Sequence, residues 1–379
     1  MIDFELPKEL IAQEPAHPRD SARLLVYSRA DKTIIDTVFS ELPKFLKPDT
    51  TLVVNNSKVE NCRWLFDAGK TEIFVLEKLD THTIRALIRP GSKFKLGQKS
   101  EINKWLSVET TAIDDDGIRT LKLNIQHDDK RLLAVEHIPL PPYIRAHPTH
   151  SCSRVQEHLK QQSSRFSSIT DTSVSPQSDK TPISSLSGAP ESERVVCSVC
   201  LQNDKLAEEY QTIYAKPLGS KAAPTAGLHF TDQLLEKVKT EHDVEEVTLH
   251  VGLGTFASLT DVNFETGKLH AEWYEIKPGV ADKLLSAKHI TAVGTTTVRT
   301  LESWAVSGDL MSSTDIFIQP GYSFKTVNSM ITNFHLPGTS LLLMVEAFVG
   351  SEAELKRIYD HAIAEKYRFY SFGDAMLIL

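Results

Sequence analysis

Serine makes up 12 of the 40 residues from 151 to 190, and threonine, glutamine and proline fill much of the remainder. A segment of that composition buries too little apolar surface to offset its conformational entropy, so residues 146–207 read as a disordered insertion. The folded body must then be assembled from two separated stretches of different texture. From Tyr210 onward, strand signals at "VEEVTLHVG", "HAEWYEI", "ITAVGTT", "TDIFIQPG" and "MITNFHL" alternate with helix signals at "TDQLLEKVKTEH", "TVRTLESWAVSG", "SLLLMVEAFVG" and "EAELKRIYDHAIAEKY". That alternation predicts an α/β layer.

The N-terminal stretch divides again. Residues 1–56 mix a short helix at "LPKELIAQ" with buried strands at "RLLVYSR" and "TLVVNNS", the latter ending at Asn55 and Asn56. From 57 to about 145, short alternating runs are separated by Gly, Asp and Pro turns, the pattern of a small antiparallel barrel or sandwich. The fold class expected is therefore α/β: a discontinuous, barrel-like α/β domain (1–56 and 208–379) interrupted by a small antiparallel β-barrel (57–145) and the insertion.

Composition narrows the setting. At 379 residues with 41% hydrophobic content, the chain is large enough for two domains with sizeable cores. The opening "MIDFELPKELIAQEP" lacks a basic region followed by an apolar one, and no 18-residue apolar run follows, so a cytoplasmic protein with no membrane partner is expected. Four cysteines are too few for a disulfide framework. The net charge of −8 repels nucleic acid at long range, so an RNA partner must meet a local basic patch. Lys216, Lys221, Arg63, Arg89, Lys93 and Lys95 are the candidates for one.

Several stretches carry candidate chemistry. "KAAPTAGLHFT" sets Thr225, Gly227 and His229 at a turn just before a helix, and "TNFHLPGTS" repeats the design with Asn333 and His335. Two imidazoles at such junctions can meet at one edge of a sheet, where α/β domains hold ligands. In "VGTTTVRTLES", three threonines including Thr297 and a following Arg299 gather hydroxyls, free N–H groups and a guanidinium at one helix N-terminus, which suits an anion. Helix capping with Arg299 paired to Glu302 or Glu272 explains the same residues. "LHAEWYEI" puts His270 and Glu272 on one face of a strand, a spacing that serves acid–base work or a plain surface strand. Asp374 in "YSFGDAM" either anchors a ribose or ammonium group or caps a turn.

Other motifs exclude more than they support. "GLGTFA" satisfies a dinucleotide-binding pattern, but the polar "SLTDVNFETG" that follows is not the long helix such a turn requires. Its best alternative use is in an ordinary methyltransferase. Cys197 and Cys200, with His147, His150 and Cys152 across the Ser-rich segment, have half of a zinc spacing, and no metal is assigned to them. Nucleotide-kinase, zinc-protease and serine-hydrolase motifs are absent.

Taken together, "KAAPTAGLHFT", "LHVGLGTF", "LHAEWYEI", "VGTTTVRTLES", "IQPGYSF", "TNFHLPGTSLLLMVEAF" and "YRFYSFGDAMLI" resemble the S-adenosylmethionine:tRNA ribosyltransferase-isomerase family of queuosine biosynthesis, as do the N-terminal "LPKELIAQEPAHPRDSARLLV" and "LVVNNSKV". The resemblance spans residues 4–145 and 208–379. It implies an enzyme that uses S-adenosylmethionine as ribosyl donor, needs no further cofactor, and acts on 7-aminomethyl-7-deazaguanine at the wobble position of tRNAs with GUN anticodons; a monomer is the expected working form. The products would be epoxyqueuosine-tRNA, adenine and methionine. His229, His335, His270 and Glu272 are then the candidate acid–base groups, with the individual roles open. Thr225, Gly227, Thr297, Arg299, Asn333, Asn55, Asn56 and Asp374 would hold the donor and the tRNA base, and the positive sulfur would give an acidic pocket a purpose. Against the family pattern, about sixty Ser-rich residues stand between "PPYIR" and "YQTIYAK", and "ENCRW" replaces a Pro-Ala-Arg. A non-catalytic tRNA-binding protein of the same fold is the rival; it would bind tRNA without consuming the donor.

Overall fold

The computed structural model describes residues 2–114, 117–141, 143–144, 205–252, 254 and 259–379. Three strands open the chain: β1 (Arg23–Tyr27), β2 (Ile34–Val38) and β3 (Thr50–Asn55). After β4 (Lys58–Val59), which lies outside it, comes a curled module with β5 (Arg63–Phe66), β6 (Thr71–Lys78), β7 (Thr83–Arg89), β8 (Lys99–Glu101), β9 (Ser107–Ile113), β10 (Arg119–Leu123) and β11 (Glu136–His137). After the Ser-rich stretch come β12 (Leu218–Ser220), β13 (Asp243–Leu249), β14 (Lys268–Glu275), β15 (His289–Val293), β16 (Met311–Ile316), β17 (Ser329–Asn333) and β18 (Ala375–Ile378). Helices of this half include α1 (Asp232–Glu241), α2 (Asp261–Thr266), α3 (Pro278–Ser286), α4 (Thr295–Ser307), α5 (Ser340–Val349) and α6 (Glu352–Ala364).

The main sheet has nine strands in the order β16-β14-β13-β3-β15-β17-β18-β1-β2. Its outer strands do not pair with each other, so it is an open mixed sheet where the sequence led us to expect a barrel-like one. Both faces are covered, which is why β3 reads as an unbroken buried run. Val53, Met330 and Met376 join one core cluster with Val298 and Leu301 of α4, Phe348 of α5 and Tyr359 of α6. Their neighbours Leu52, Ile331 and Leu377 point the other way, into a second cluster with Phe39, Phe230 and Val238. The period of two along each strand divides the chain between the two layers.

The module is a seven-stranded antiparallel sheet, ordered β11-β5-β6-β7-β10-β9-β8, around a core that includes Trp64, Ile73 and Val108. It curls but does not close, because its two edge strands are only two and three residues long and do not pair; a half-barrel replaces the expected barrel. Cys62 is buried there, and burial pushes its thiol up to about 12, which leaves it inert. Residues 205–209 are already helical, and Leu206 packs with Tyr210 and Phe372, so regular structure resumes before the boundary read from composition.

Strands β13, β3, β15 and β17 run parallel, so their carboxyl ends meet at one edge of the sheet. Strand β18 runs against β17, which brings its start to the same edge opposite Asn333. Asn55, fully buried, fastens that edge. Its Nδ2 donates to the Leu249 carbonyl (3.0 Å) and to Thr296 Oγ1 (3.2 Å), while Oδ1 accepts from the N–H groups of Leu249 (3.0 Å) and Ser57 (3.1 Å). Asn55→Ala would strand several buried polar groups, each costing about 1–3 kcal/mol. Urea unfolding should show a loss of about 3 kcal/mol or more; a loss under about 0.5 kcal/mol, the ordinary surface value, would contradict this role.

Candidate functional site

A cavity of about 560 Å³ lies at the carboxyl edge. One wall is the turn Ala222 to Ala226, kept thin by its alanines; a second is Gly294, Thr295 and Thr296 at the start of α4; a third is the run from Thr332 to Thr339 that leads into α5. Tyr143, Tyr210, Val251, Leu341, Tyr370 and Ser371 complete its described lining. Gly294 takes φ 89°, a left-handed conformation that favours glycine, and it opens α4 with no side-chain cap. The first N–H groups of that helix have no intrahelical acceptor, and together with the start of α5 they give the cavity a positive backbone potential. None of the described lining residues is Asp, Glu, Lys or Arg, which corrects the expectation of an acidic pocket.

Three of the expected site residues line this cavity: Thr225, Asn333 and His335. Thr225 Oγ1 donates to Asn333 Oδ1 at 2.8 Å, which fixes the amide so that its Nδ2 faces His229 Nε2 at 3.3 Å. His229 itself is buried behind Asn333, beside the Phe39 ring, and is not among the lining residues. Burial, reinforced by the positive charges of Arg368 and Arg19, holds its imidazole down to about 3. His335 Nε2 lies 2.8 Å from Thr332 Oγ1, and its backbone N–H donates to the Tyr359 hydroxyl at 3.0 Å. Burial holds the His335 imidazole down to about 4, so it is neutral at physiological pH.

His270, Glu272 and Arg299 lie together in a separate recess of about 20 Å³, which shares Leu341 with the large cavity. Glu272 and Arg299 form a buried ion pair; Glu272 Oε1 also accepts from the Gly252 N–H at 2.7 Å, and Arg299 Nη2 donates to the Thr314 carbonyl at 3.3 Å. Glu272, and not Glu302, is therefore the partner of Arg299. Glu302 instead accepts the N–H groups of Lys325, Thr326 and Val327 and the Tyr322 hydroxyl. His270 is exposed and Glu272 buried, although both line the recess.

The remaining expected residues sit beside the cavity without lining it. Asn55 has its amide consumed as described, and Asn56 bonds Glu246 and Thr248 on β13. Thr297 returns its hydroxyl to the Val293 carbonyl at 2.6 Å. Gly227 is required by packing: a Cβ there would overlap the Tyr214 hydroxyl. Asp374, buried, accepts from the backbone N–H groups of Arg23 and Arg368 and from the Arg368 guanidinium, so it joins β1 to the last turn before β18. Sequence reasoning passed over the aromatic wall. Tyr370 has φ 72°, a strained value for a non-glycine residue, and only the backbone reveals it. Tyr143 belongs to "PPYIR", which carries no chemical signal of its own. Residue 253 and most of "GLGTFA", together with Cys197, Cys200, His147, His150 and Cys152, lie outside the described residues. No group of three or more His, Cys, Asp or Glu among the described residues is arranged to hold a metal ion.

Two outcomes follow from the buried groups. The unfolded chain takes up a proton on His229 near pH 6.5, whereas the folded site refuses it until about pH 3. Between those values the unfolded state holds more protons, so stability falls as pH falls. Between pH 7 and pH 5 the wild type should lose about 2 kcal/mol more than His229→Gln in urea unfolding; equal losses would contradict the buried neutral imidazole. For the ion pair, Glu272→Gln leaves the buried guanidinium uncompensated and should cost about 3–5 kcal/mol. The double variant E272L/R299L should recover much of that, and a double variant no more stable than the single would refute the pair's part in the cost.

The family model for queuosine biosynthesis proteins matches residues 1–378. An S-adenosylmethionine:tRNA ribosyltransferase-isomerase from Thermotoga maritima is 38% identical over 390 positions, covering 100% of this chain and 98% of its own length. A protein of the same name from Desulfitobacterium hafniense is 38% identical over 393 positions, with the same coverage of 100% and 98%. A solved structure of S-adenosylmethionine tRNA ribosyltransferase from Thermotoga maritima aligns at 31% identity and a TM-score of 0.49, over 100% of this chain and 99% of that one. Matched along its length by the family model and by relatives well above 30% identity, the chain belongs to the queuosine biosynthesis protein family.

Proposed function

We propose that this chain is an S-adenosylmethionine:tRNA ribosyltransferase-isomerase. It transfers the ribosyl group of the donor to the aminomethyl nitrogen of 7-aminomethyl-7-deazaguanine at the tRNA wobble position and isomerises it, with release of adenine and methionine. The observation that carries this reading is the cavity at the carboxyl edge, whose walls come from the stretches that resemble the family. Its volume falls within the range of about 300–1,000 Å³ usual for small-molecule sites. Selectivity for GUN anticodons belongs to the same proposal and rests on that resemblance, and a cytoplasmic, monomeric working form is proposed with it.

The chemistry asks for three proton movements. The sulfonium acidifies the neighbouring C5′ hydrogens, so a base there starts the reaction; adenine leaves more readily once a ring nitrogen is protonated; and the aminomethyl group attacks as a free amine. Among the described residues lining the large cavity, His335 is the one imidazole, and its depressed pKa keeps it unprotonated and able to accept. We assign it the C5′ proton. Thr225 and Asn333 supply a hydroxyl and an amide to position the donor. Of the candidate tRNA contacts, Arg63, Lys216 and Lys221 are engaged by Glu72, Glu246 and Glu60. Arg89, Lys93 and Lys95 are exposed, in no ion pair among the described residues, and cluster at the end of β7, so they are the better candidates for phosphate contact.

The test is to mix the protein with S-adenosylmethionine and tRNA bearing the aminomethyl-deazaguanine base and to quantify the products by mass spectrometry. Adenine and methionine should appear in step with modified tRNA, and His335→Ala should slow their release by about a hundredfold or more with tRNA binding retained. S-adenosylhomocysteine as product would overturn the reading in favour of methyl transfer, and tRNA binding without donor consumption would favour the non-catalytic rival.

A further inference from the structure

A sulfonium donor brings a positive charge into a cavity whose described lining holds no carboxylate to meet it. The starts of α4 and α5 make the problem worse, because both direct the positive ends of their backbone dipoles to this space. Placing a cation there without compensation would cost more than leaving it in water. The lining does offer aromatic surface. Tyr143 and Tyr370 both line the cavity, both are only half-buried, and their ring centroids lie 4.0 Å apart at an interplanar angle of 39°. The pair is fixed from both sides. The Tyr143 hydroxyl is hydrogen-bonded to Ser371, and the Tyr370 backbone, in its strained left-handed conformation, donates its N–H to the Phe334 carbonyl at 3.2 Å. A strained residue held firmly in the wall of a cavity is a common mark of a built ligand contact.

We infer that Tyr143 and Tyr370 form the sulfonium subsite, stabilising the positive sulfur through the negative faces of their rings, since the described lining holds no carboxylate. This deepens the functional reading above and rests on it. The aromatic pair also has a chemical advantage over a carboxylate. A carboxylate beside the sulfonium would compete for the acidified C5′ proton and, by pairing tightly with the charge, would weaken the acidifying effect that starts the reaction. A ring face is not a base, and its attraction for a cation is worth about two- to fivefold in affinity at exposed sites and about thirtyfold when desolvated. The two tyrosines are thus binding and specificity residues that select a charged donor over its neutral thioether counterpart.

The experiment compares the binding of S-adenosylmethionine with that of S-adenosylhomocysteine, which has the same adenosine and amino-acid ends but no charge on sulfur. Titration calorimetry is run on the wild type, Tyr370→Phe, Tyr370→Leu and Tyr143→Leu, with thermal melts to check folding. The wild type should prefer the sulfonium ligand. Tyr370→Phe, which keeps the ring, should hold that preference, and each leucine variant should lose about five- to thirtyfold in affinity for S-adenosylmethionine with little change for the thioether. Equal losses for both ligands would mean that the rings stack on the adenine and would overturn the sulfonium assignment, as would a wild type that favours the thioether. If the wild type binds neither ligand, the functional reading fails and the subsite with it. If it binds the donor and releases adenine but the leucine variants keep the wild-type ratio, only the subsite fails.

Discussion

The side chain of Asn55 is the fastening on which the site depends. Parallel strands feed their carboxyl ends to a common edge, but an edge becomes a site only when the loops that leave it diverge in fixed directions. Asn55 sets three of those directions at once, through Leu249 at the end of β13, Ser57 at the exit of β3, and Thr296 in the first turn of α4. Thr225 and Asn333 repeat the arrangement one layer further out and tie the turn after β12 to the end of β17. With both fastenings made, the thin alanine wall and the start of α4 stand apart, and the cavity is the space between them.

Charge in this region is segregated. Two ion pairs stand behind the walls, Glu272 with Arg299 and Asp374 with Arg368, while the described cavity lining is neutral. A neutral lining strengthens the polar contacts made against it, and burial keeps His335 unprotonated. The same property makes an incoming cation costly unless something polarisable receives it. The aromatic wall and the depressed imidazole are therefore two consequences of one dielectric choice.

Much of this was legible in the sequence. The α/β alternation, the strand ending at Asn55, and the helices at 232, 340 and 352 follow from periodicity and caps that local chemistry dictates, while the helix read from Thr297 begins two residues earlier, at Thr295, and the strand read through Leu336 ends at Asn333. Closure was not legible: whether a sheet closes depends on pairing between its two edge strands, and "KSE" and "EH" at the module's edges give no sign that they remain apart. Thr225, Asn333 and His335 were found because turn-then-helix junctions mark sheet edges. Asn55, Asn56, Thr297 and Asp374 sit at the same edge with their side chains bonded to the protein itself, a distinction that rests on long-range partners such as Leu249 and Arg23. The tyrosines escaped notice for the opposite reason, since an aromatic residue in a loop looks like core until its neighbours are known.

The central claim is that the donor occupies the cavity at the carboxyl edge, and a crystal structure of the full chain with bound S-adenosylmethionine tests it most directly. The account predicts ligand density between Thr225, Asn333 and His335, with the sulfur against the Tyr143 and Tyr370 rings. Density for the donor elsewhere, with this cavity filled only by water, would contradict it.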